Sequence, residues 1–476
     1  MMRKIKSRLY RWRSLPPAGL FRTPAAKTAS GTWLIALFLT LAATVFAQDI
    51  VTWINGAGGK PALAVIDFRG SGSQQLMSAF NSTLFNDLQG SGLFDMKSKS
   101  LFPLNNPQRP EDLRPEDGGQ GFALPDWAGA PVNASHLVFG YTAAQNGALV
   151  LYGNVYDTRQ QNVQSAQLFS QRYSGSLDEA GAIHAAHEFA NDIIMKFGGS
   201  ASLLGSRIYY VSKHTNAKKE AVGEIMVMDW DGNNQKQLTR LNSLSIMPAI
   251  SADGSRLAFT SYAKGTPRIM MLDTLTGRSL PFYNQEASLN ANASFTPDGK
   301  QIYYASSAAG LPQIYTSSID GQGFRRVSHR DAVESEPKVN PKNPNLLLFT
   351  SGPRSEQIYQ MNSEGVGVER VTNGEGEASN PAWNPDGVHF AFAWTSGYAK
   401  GDFNIFVMDI GSHQYVQLTH GEGKNENPSW APDGRHLVFA STRKGKSQIY
   451  TMLADGSQVK ALTTQGDNET PVWGVK

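Results

Sequence analysis

Pro428-Ser-Trp-Ala-Pro-Asp-Gly434 decides the fold, because the chain repeats it. Its relatives are Pro248-Ala-Ile-Ser-Ala-Asp-Gly254, Ala293-Ser-Phe-Thr-Pro-Asp-Gly299, Pro337-Lys-Val-Asn-Pro-Lys-Asn343 and Pro381-Ala-Trp-Asn-Pro-Asp-Gly387. The turn positions 254, 299, 343, 387 and 434 lie 44–47 residues apart, the length of a four-stranded propeller blade. After each turn comes a β-rich second strand, such as Leu257-Ala-Phe-Thr-Ser261 or Leu437-Val-Phe-Ala-Ser441. A third strand follows, as in Gln313-Ile-Tyr, Gln357-Ile-Tyr and Gln448-Ile-Tyr, and then a short outer one at Val371-Thr372, Leu418-Thr419 or Leu462-Thr463. Asp-Gly between the third and fourth strands, at Asp320-Gly321 and Asp455-Gly456, supplies the positive φ that a tight hairpin needs. Asn343 is the degenerate turn and has one extra residue after it.

The two ends of the repeat complete each other. Thr470-Pro-Val-Trp-Gly-Val-Lys476 begins a sixth inner strand, and Gly205-Ser-Arg-Ile-Tyr-Tyr-Val-Ser212 parallels Gly254-Ser-Arg-Leu-Ala-Phe-Thr-Ser261. Residues 205–476 are therefore expected to form an all-β six-bladed propeller. Its last blade would take its inner strand from the C-terminus and its outer three from residues 205–239. Closure of this kind leaves no open sheet edge across the ring.

Residues 61–199 read differently, as a small α/β N-terminal domain. Ala62–Asp67 is a strand. Ser73–Gln89 is an amphipathic helix with Leu76, Phe80, Leu84 and Leu88 on one row. Strands follow at His136–Tyr141, Ala148–Tyr156 and Ala166–Tyr173. A second helix over about Leu177–Phe197 places Ile183, Ala190, Ile194 and Phe197 inward. Residues 103–121 are rich in Pro and Gly and read as a loop.

The formal charge of +3 belongs to one end of the chain. Residues 1–47 carry eight basic residues and no acid; without them, 35 Lys and Arg face 40 Asp and Glu, a net of −5. Nucleic-acid binding loses its support, since it needs a basic face on the folded body. The same end has the layout of a signal peptide. A basic region precedes the fourteen-residue apolar run Trp33–Phe46, which is short for a membrane helix of roughly 20 residues. Cleavage is expected after Ala47, with an uncleaved anchor as the alternative, and residues 48–60 are expected to be a flexible segment. With no cysteine there is no lipid acceptor thiol, thiol nucleophile or Cys-based metal site. The chain reads as a soluble, monomeric periplasmic protein without a direct membrane span.

Chemistry is sparse. His184 and His187 have i, i+3 spacing but no evident third ligand, and no H-E-x-x-H, G-x-S-x-G or P-loop pattern occurs. No catalytic residue, metal or cofactor is expected. The informative cluster stands just before the inner strands: Leu289, Asn290 and Asn292; Glu334, Ser335 and Glu336; Ser379 and Asn380; Asn425, Glu426 and Asn427; Asn468, Glu469 and Thr470. Outer-to-inner connections emerge on one rim of a propeller, so these residues form a mildly acidic ring around the channel. Two readings stay open, local capping of strand ends and a partner-binding rim.

The order of segments, the P-x-W-x-P-D-G phrases, the closing Pro471-Val-Trp473 and the helix end Phe189-Ala-Asn-Asp-Ile-Ile-Met-Lys196 together resemble the TolB family, periplasmic components of the Tol–Pal system. The resemblance covers essentially the whole chain after residue 47. It implies a non-enzymatic bridge that maintains outer-membrane integrity and supports constriction at cell division. It also implies that the rim binds Pal, a peptidoglycan-associated lipoprotein. The mature N-terminus, here Gln48, Asp49, Ile50, Val51, Thr52, Trp53 and Ile54, would bind the inner-membrane protein TolA. Ala293 in place of proline, Asn343 in place of glycine and the long 103–121 loop depart from the family pattern. The other readings are a generic exported propeller that binds a glycan or protein, and a propeller lyase or peptidase accessory.

Overall fold

Each blade starts from the same local chemistry. The Asp of a Pro-Asp-Gly turn accepts backbone N–H groups two or three residues on, as Asp433 does from Arg435 and His436 at 2.9 and 3.1 Å. The Gly behind it takes φ near +70°, for example +67° at Gly434 and +73° at Gly387. The chain thereby reverses into a second strand that is buried almost throughout. In the third blade the extra residue widens the turn, and Leu346 donates to the Asn343 carbonyl at 2.9 Å. Asn343 is not among the residues with positive φ, so that turn does without a glycine.

The computed structural model describes residues 59–114, 121–198, 203, 205–352 and 355–475. After residue 205 it shows six four-stranded antiparallel sheets, the six-bladed propeller that the repeat predicts. Blades 1 to 5 have inner strands Ser245–Ile250, Asn290–Phe295, Glu334–Val339, Ala378–Trp383 and Asn425–Trp430. Blade 6 has Asp467–Gly474 as its inner strand, paired with Arg207–Thr215 in a register that sets Trp473 opposite Ile208. Ala221–Asp229 and Lys236–Gln237 complete it. Six hydrophobic clusters fill the six seams between neighbouring blades.

The fourth strands lie just before the expected Val371-Thr372, Leu418-Thr419 and Leu462-Thr463, at Glu369–Arg370, Tyr415–Gln417 and Lys460–Ala461. The recurring Gln of the third strand and the Thr that follows the fourth have a shared task. Gln357 Oε1 accepts the Thr372 hydroxyl at 2.8 Å, and that hydroxyl accepts the Ile358 N–H at 3.0 Å. Gln448 and Thr463 repeat the arrangement with Ile449. The two-residue outer strand thus needs little ladder of its own. Turns are also tied blade to blade: Asn340 and Asn384 donate to the Gly387 and Gly434 carbonyls at 2.7 and 2.8 Å.

Before the propeller lies a mixed sheet. Strand β1 (Ala62–Val65) runs parallel to β2 (Asp95–Met96) and β3 (His136–Gln145); β4 (Ala148–Asp157) and β5 (Gln167–Ser176) continue it antiparallel. Helices α1 (Gln74–Gly90) and α2 (Glu179–Gly198) share a core with the sheet in which Phe68, Phe80 and Phe189 meet. In α1 the Ser73 hydroxyl caps the start by accepting the Leu76 N–H, and Leu76, Phe80, Leu84 and Leu88 are buried as the spacing predicts. In α2 the buried stripe is Ala182, Ala185, Ala186, Phe189, Ala190 and Ile193. Of the residues expected inward only Ala190 lies in it; Ile183, Ile194 and Phe197 are half-buried at its margin. The stripe is turned toward alanines because Phe189 fills the core instead: a Cβ on Gly153 would stand 2.6 Å from its ring.

Helix α1 ends on blade 5. His436 Nε2 lies 2.7 Å from the Gly90 carbonyl oxygen while its Nδ1 lies 2.7 Å from Asp433 Oδ2. Gln458 donates to the Gln89 carbonyl at 3.2 Å. Orphan carbonyls at a helix C-terminus are thus satisfied by propeller side chains.

The closing strand is the weak point of a ring. Trp473 is buried in the seam of blades 5 and 6 and its indole donates to the Ser206 hydroxyl at 2.9 Å. Trp473→Ala is expected to cost about 3–5 kcal/mol. Urea denaturation should show that loss over the whole β signal in a single transition; a loss confined to blade 6 would contradict closure by this strand.

Candidate functional site

The site is built by a repeated irregularity. In all six inner strands the pairing register slips around the residue that precedes the proline position. Proline has no N–H to give a ladder. It stands at Pro248, Pro337, Pro381, Pro428 and Pro471, with Ala293 in the second blade. The residue before it bulges toward the channel with positive φ: Met247, Asn292, Glu336, Asn380, Asn427 and Thr470, at +52°, +57°, +52°, +54°, +54° and +46°. Three are Asn, which tolerates this conformation; for Met, Glu and the β-branched Thr it is unusual. Strain of this kind gathers where a surface must be held in a set shape. All six line the channel, whose cavity is about 590 Å3.

Part of the ring is stitched side chain to backbone across blades. Asn380 donates its backbone N–H (2.7 Å) and its Nδ2 (2.8 Å) to the Glu336 carboxylate. Asn427 donates its N–H to Asn380 Oδ1 at 3.2 Å. Asn292 donates its N–H to the Thr260 hydroxyl at 3.2 Å. The Thr470 hydroxyl is buried and finds no partner among the described residues.

The residues singled out from sequence separate into two groups. Asn292, Glu336, Asn380, Asn427 and Thr470 face the channel. Glu426 and Glu469 stand half-buried at the same mouth, Glu469 paired with Lys213. Ser335 is half-buried and shares a 2.8 Å hydrogen bond with Thr350, and Leu289 is half-buried with its N–H on Ser307. Asn290, Glu334, Asn425 and Asn468 are different. They are 0–3% exposed, and Ser379 is 8% exposed, so none of the five offers a contact surface. Asn290, Asn425 and Asn468 donate to the carbonyls of Gln285, Gly423 and Gln465, which is local capping. Buried Glu334 has Arg330 at 3.9 Å, and burial raises its pKa. Residues 48–54 lie outside the described residues.

Three contributors escape the sequence reading. Met247 completes the ring and could have been found from its place directly before Pro248. Lys338 lines the channel two residues after Glu336. Glu356 carries no repeat signal; crowding by protein and the charges of Glu336 and Glu377 raise its pKa. The histidine pair does not converge. His187 Nδ1 sits 2.5 Å from Asp87 and His184 is exposed beside Glu188. Among the described residues no three His, Asp or Glu gather where a metal could be held.

Fold and site together define an all-β propeller with a strained polar channel mouth, preceded by a small α/β unit: a surface-presenting architecture. The chain belongs to the TolB β-propeller family, whose profile, described as the TolB beta propeller domain, matches residues 195–392 and 368–476. A TolB homolog from Chlorobium chlorochromatii is 30% identical over 197 residues, 39% of this chain and 42% of that protein. The Tol-Pal system protein TolB of Roseobacter denitrificans is 28% identical over 233 residues, 48% of each chain. The chain thus spans about half the length of the curated relatives it matches. The crystal structure of TolB from Acinetobacter baumannii superposes with a TM-score of 0.69 at 22% identity, covering 88% of this chain and 97% of that one, and shares the fold.

The crowded acids give the mouth a pH dependence. Burial holds the Glu426 pKa above the ordinary carboxylate range; Glu469 and Glu336 add to this, and Lys424 and Lys213 oppose it. A raised folded-state pKa means stability is fullest at acid pH, below the unfolded value, and is lost as pH rises through the folded value. Glu426→Gln is therefore expected to stabilise the protein at about pH 7 and to lose that advantage near pH 4. Denaturation curves at the two pH values check this, and a pH-independent difference would refute it.

Proposed function

We propose that this chain is a non-enzymatic scaffold of the bacterial envelope. In this reading it is exported by residues 1–47 and works in the periplasm. The α/β domain spans 61–199 and the propeller 205–476. The channel mouth takes a Pal-like peptidoglycan-associated lipoprotein, and residues 48–54 take a TolA-like inner-membrane protein. The bridge supports outer-membrane integrity and constriction at division. Membership in the TolB family supports the system, and one relative is named as a Tol-Pal system protein. No helix among the described residues is long and apolar enough to cross a membrane.

The observation that carries the binding reading is the ring of bulged residues at positive φ. Strand-end capping alone needs no strained Met, Glu and Thr at the channel mouth. A pre-shaped surface lowers the ordering cost of docking, and a mildly acidic rim selects partners by charge.

The Pal-facing residues proposed are Leu289, Asn292, Ser335, Glu336, Asn380, Glu426, Asn427 and Glu469, with Asn290, Glu334, Ser379, Asn425 and Asn468 supporting them from inside the blades. Reversing Glu336 and Glu426 together to Lys is expected to weaken capture of the lipoprotein's soluble domain on the order of tenfold or more. Surface plasmon resonance with the full chain measures it, and thermal melting checks that the ring still folds. Unchanged affinity in a folded double variant would remove the rim from the interface. Deleting residues 48–54 should abolish binding of the TolA-like partner in the same assay and leave lipoprotein capture unchanged; retained binding would place that contact elsewhere.

A further inference from the structure

The third blade breaks the ring's sixfold pattern in charge. At the position after the proline, five blades carry small or short side chains: Ala249, Ser294, Ala382, Ser429 and Val472. There the next blade packs close, and both serines accept backbone N–H groups across the seam, Ser294 from Val339 and Ser429 from Trp473. The third blade has Lys338 instead, and Trp383 of blade 4 donates its indole N–H to the Lys338 carbonyl at 3.0 Å. Four residues on, where the other turns have Asp253, Asp298, Asp386 and Asp433, it has Lys342. Both lysines line the channel cavity.

Lys338 has no countercharge in contact. Its ammonium makes no ion pair within 4.0 Å and no hydrogen bond among the described residues. Glu336 is the single acid among the cavity's lining residues, and both its oxygens are engaged by Asn380. The same cavity is lined by Phe295, Val339, Pro381 and Trp383, and Trp383 reaches the Lys338 backbone itself. Burial presses its pKa downward and the Glu336 charge opposes this. A half-buried ammonium without a partner in an apolar wall is costly unless an anion comes to it.

We propose that the channel beside the third blade is an anion site, in which Lys338, with Lys342 behind it, takes the carboxylate of a ligand whose apolar body lies against Trp383 and its neighbours. Ammonium is a point charge and imposes no fork geometry, so the selectivity comes from the apolar wall. The carboxylate belongs either to a free small acid or to the end of a peptide chain reaching into the channel.

Calorimetric titration of the full chain tests this with N-acetyl-tryptophan, with the peptide N-acetyl-Gly-Gly-Ala-Trp, and with the C-terminal amide of each. Saturation by an acid and not by its amide supports the site; both acids binding points to a free ligand, the peptide alone to a chain-borne one. Lys338→Met should weaken binding about tenfold to a hundredfold, the worth of a charge-assisted hydrogen bond. Lys338→Arg should restore most of it, and Lys342→Met should cost a few-fold. Thermal melting identifies variants that fail to fold. Equal binding of acid and amide, no saturation by either acid, or unchanged affinity in a folded Lys338→Met protein overturns the site. Inorganic phosphate binding as tightly overturns its assignment to a carboxylate on an apolar body. No lipoprotein is needed, so failure here leaves the rim reading standing, and failure of the rim leaves this site standing.

Discussion

A ring of sheets has to be closed by something stronger than contact, and here it is closed by a backbone ladder. Asp467–Gly474 hydrogen-bonds along Arg207–Thr215, so blade 6 contains segments more than 250 residues apart in sequence. Every seam depends on it, since within the ring each sheet packs against its two neighbours. The cost is a long loop to close before the contacts reward it. The gain is that no blade can leave without the ladder opening. Trp473 adds to this by reaching across the seam into blade 5 and by bonding to Ser206, just ahead of the strand it pairs with.

The same inner strands carry the site, and the proline that makes them suitable as channel walls also deforms them. Proline favours the bulge without being required for it, since the second blade bulges equally at Ala293, and the bulge turns the preceding residue toward the channel. The channel lining and the blade turn are therefore set by neighbouring residues of one repeat. The ring is not uniform: Glu336, Asn380 and Asn427 are linked in a row across blades 3, 4 and 5, whereas Met247 contributes no side-chain hydrogen bond that could join the row. The lysines of blade 3 lie at one end of that row.

The propeller was legible in the sequence because its signals are local. Gly at positive φ and Pro on an inner edge each act within a few residues, and their spacing counts the blades. The site was legible only in part. Period-2 alternation predicts which side of a strand a residue faces, and a bulge inserts one residue and shifts that parity. Asn290, Glu334, Asn425 and Asn468 thus looked equivalent to Asn292, Glu336, Asn427 and Thr470, yet they lie inside the blades. In α2 the small residues Ala182, Ala185 and Ala186 form the inward stripe because a large neighbour, Phe189, occupies the space. Size complementarity across elements is invisible to a helical periodicity.

The prolines have a consequence for anything that enters the channel. An extended peptide usually gains hold on an exposed strand by zipping onto its free N–H and C=O groups. Five of the six inner edges lack a donor at the bulge, and the bulge breaks the spacing on either side. A segment threading this bore cannot be templated into a seventh strand, and it would be read by its side chains alone.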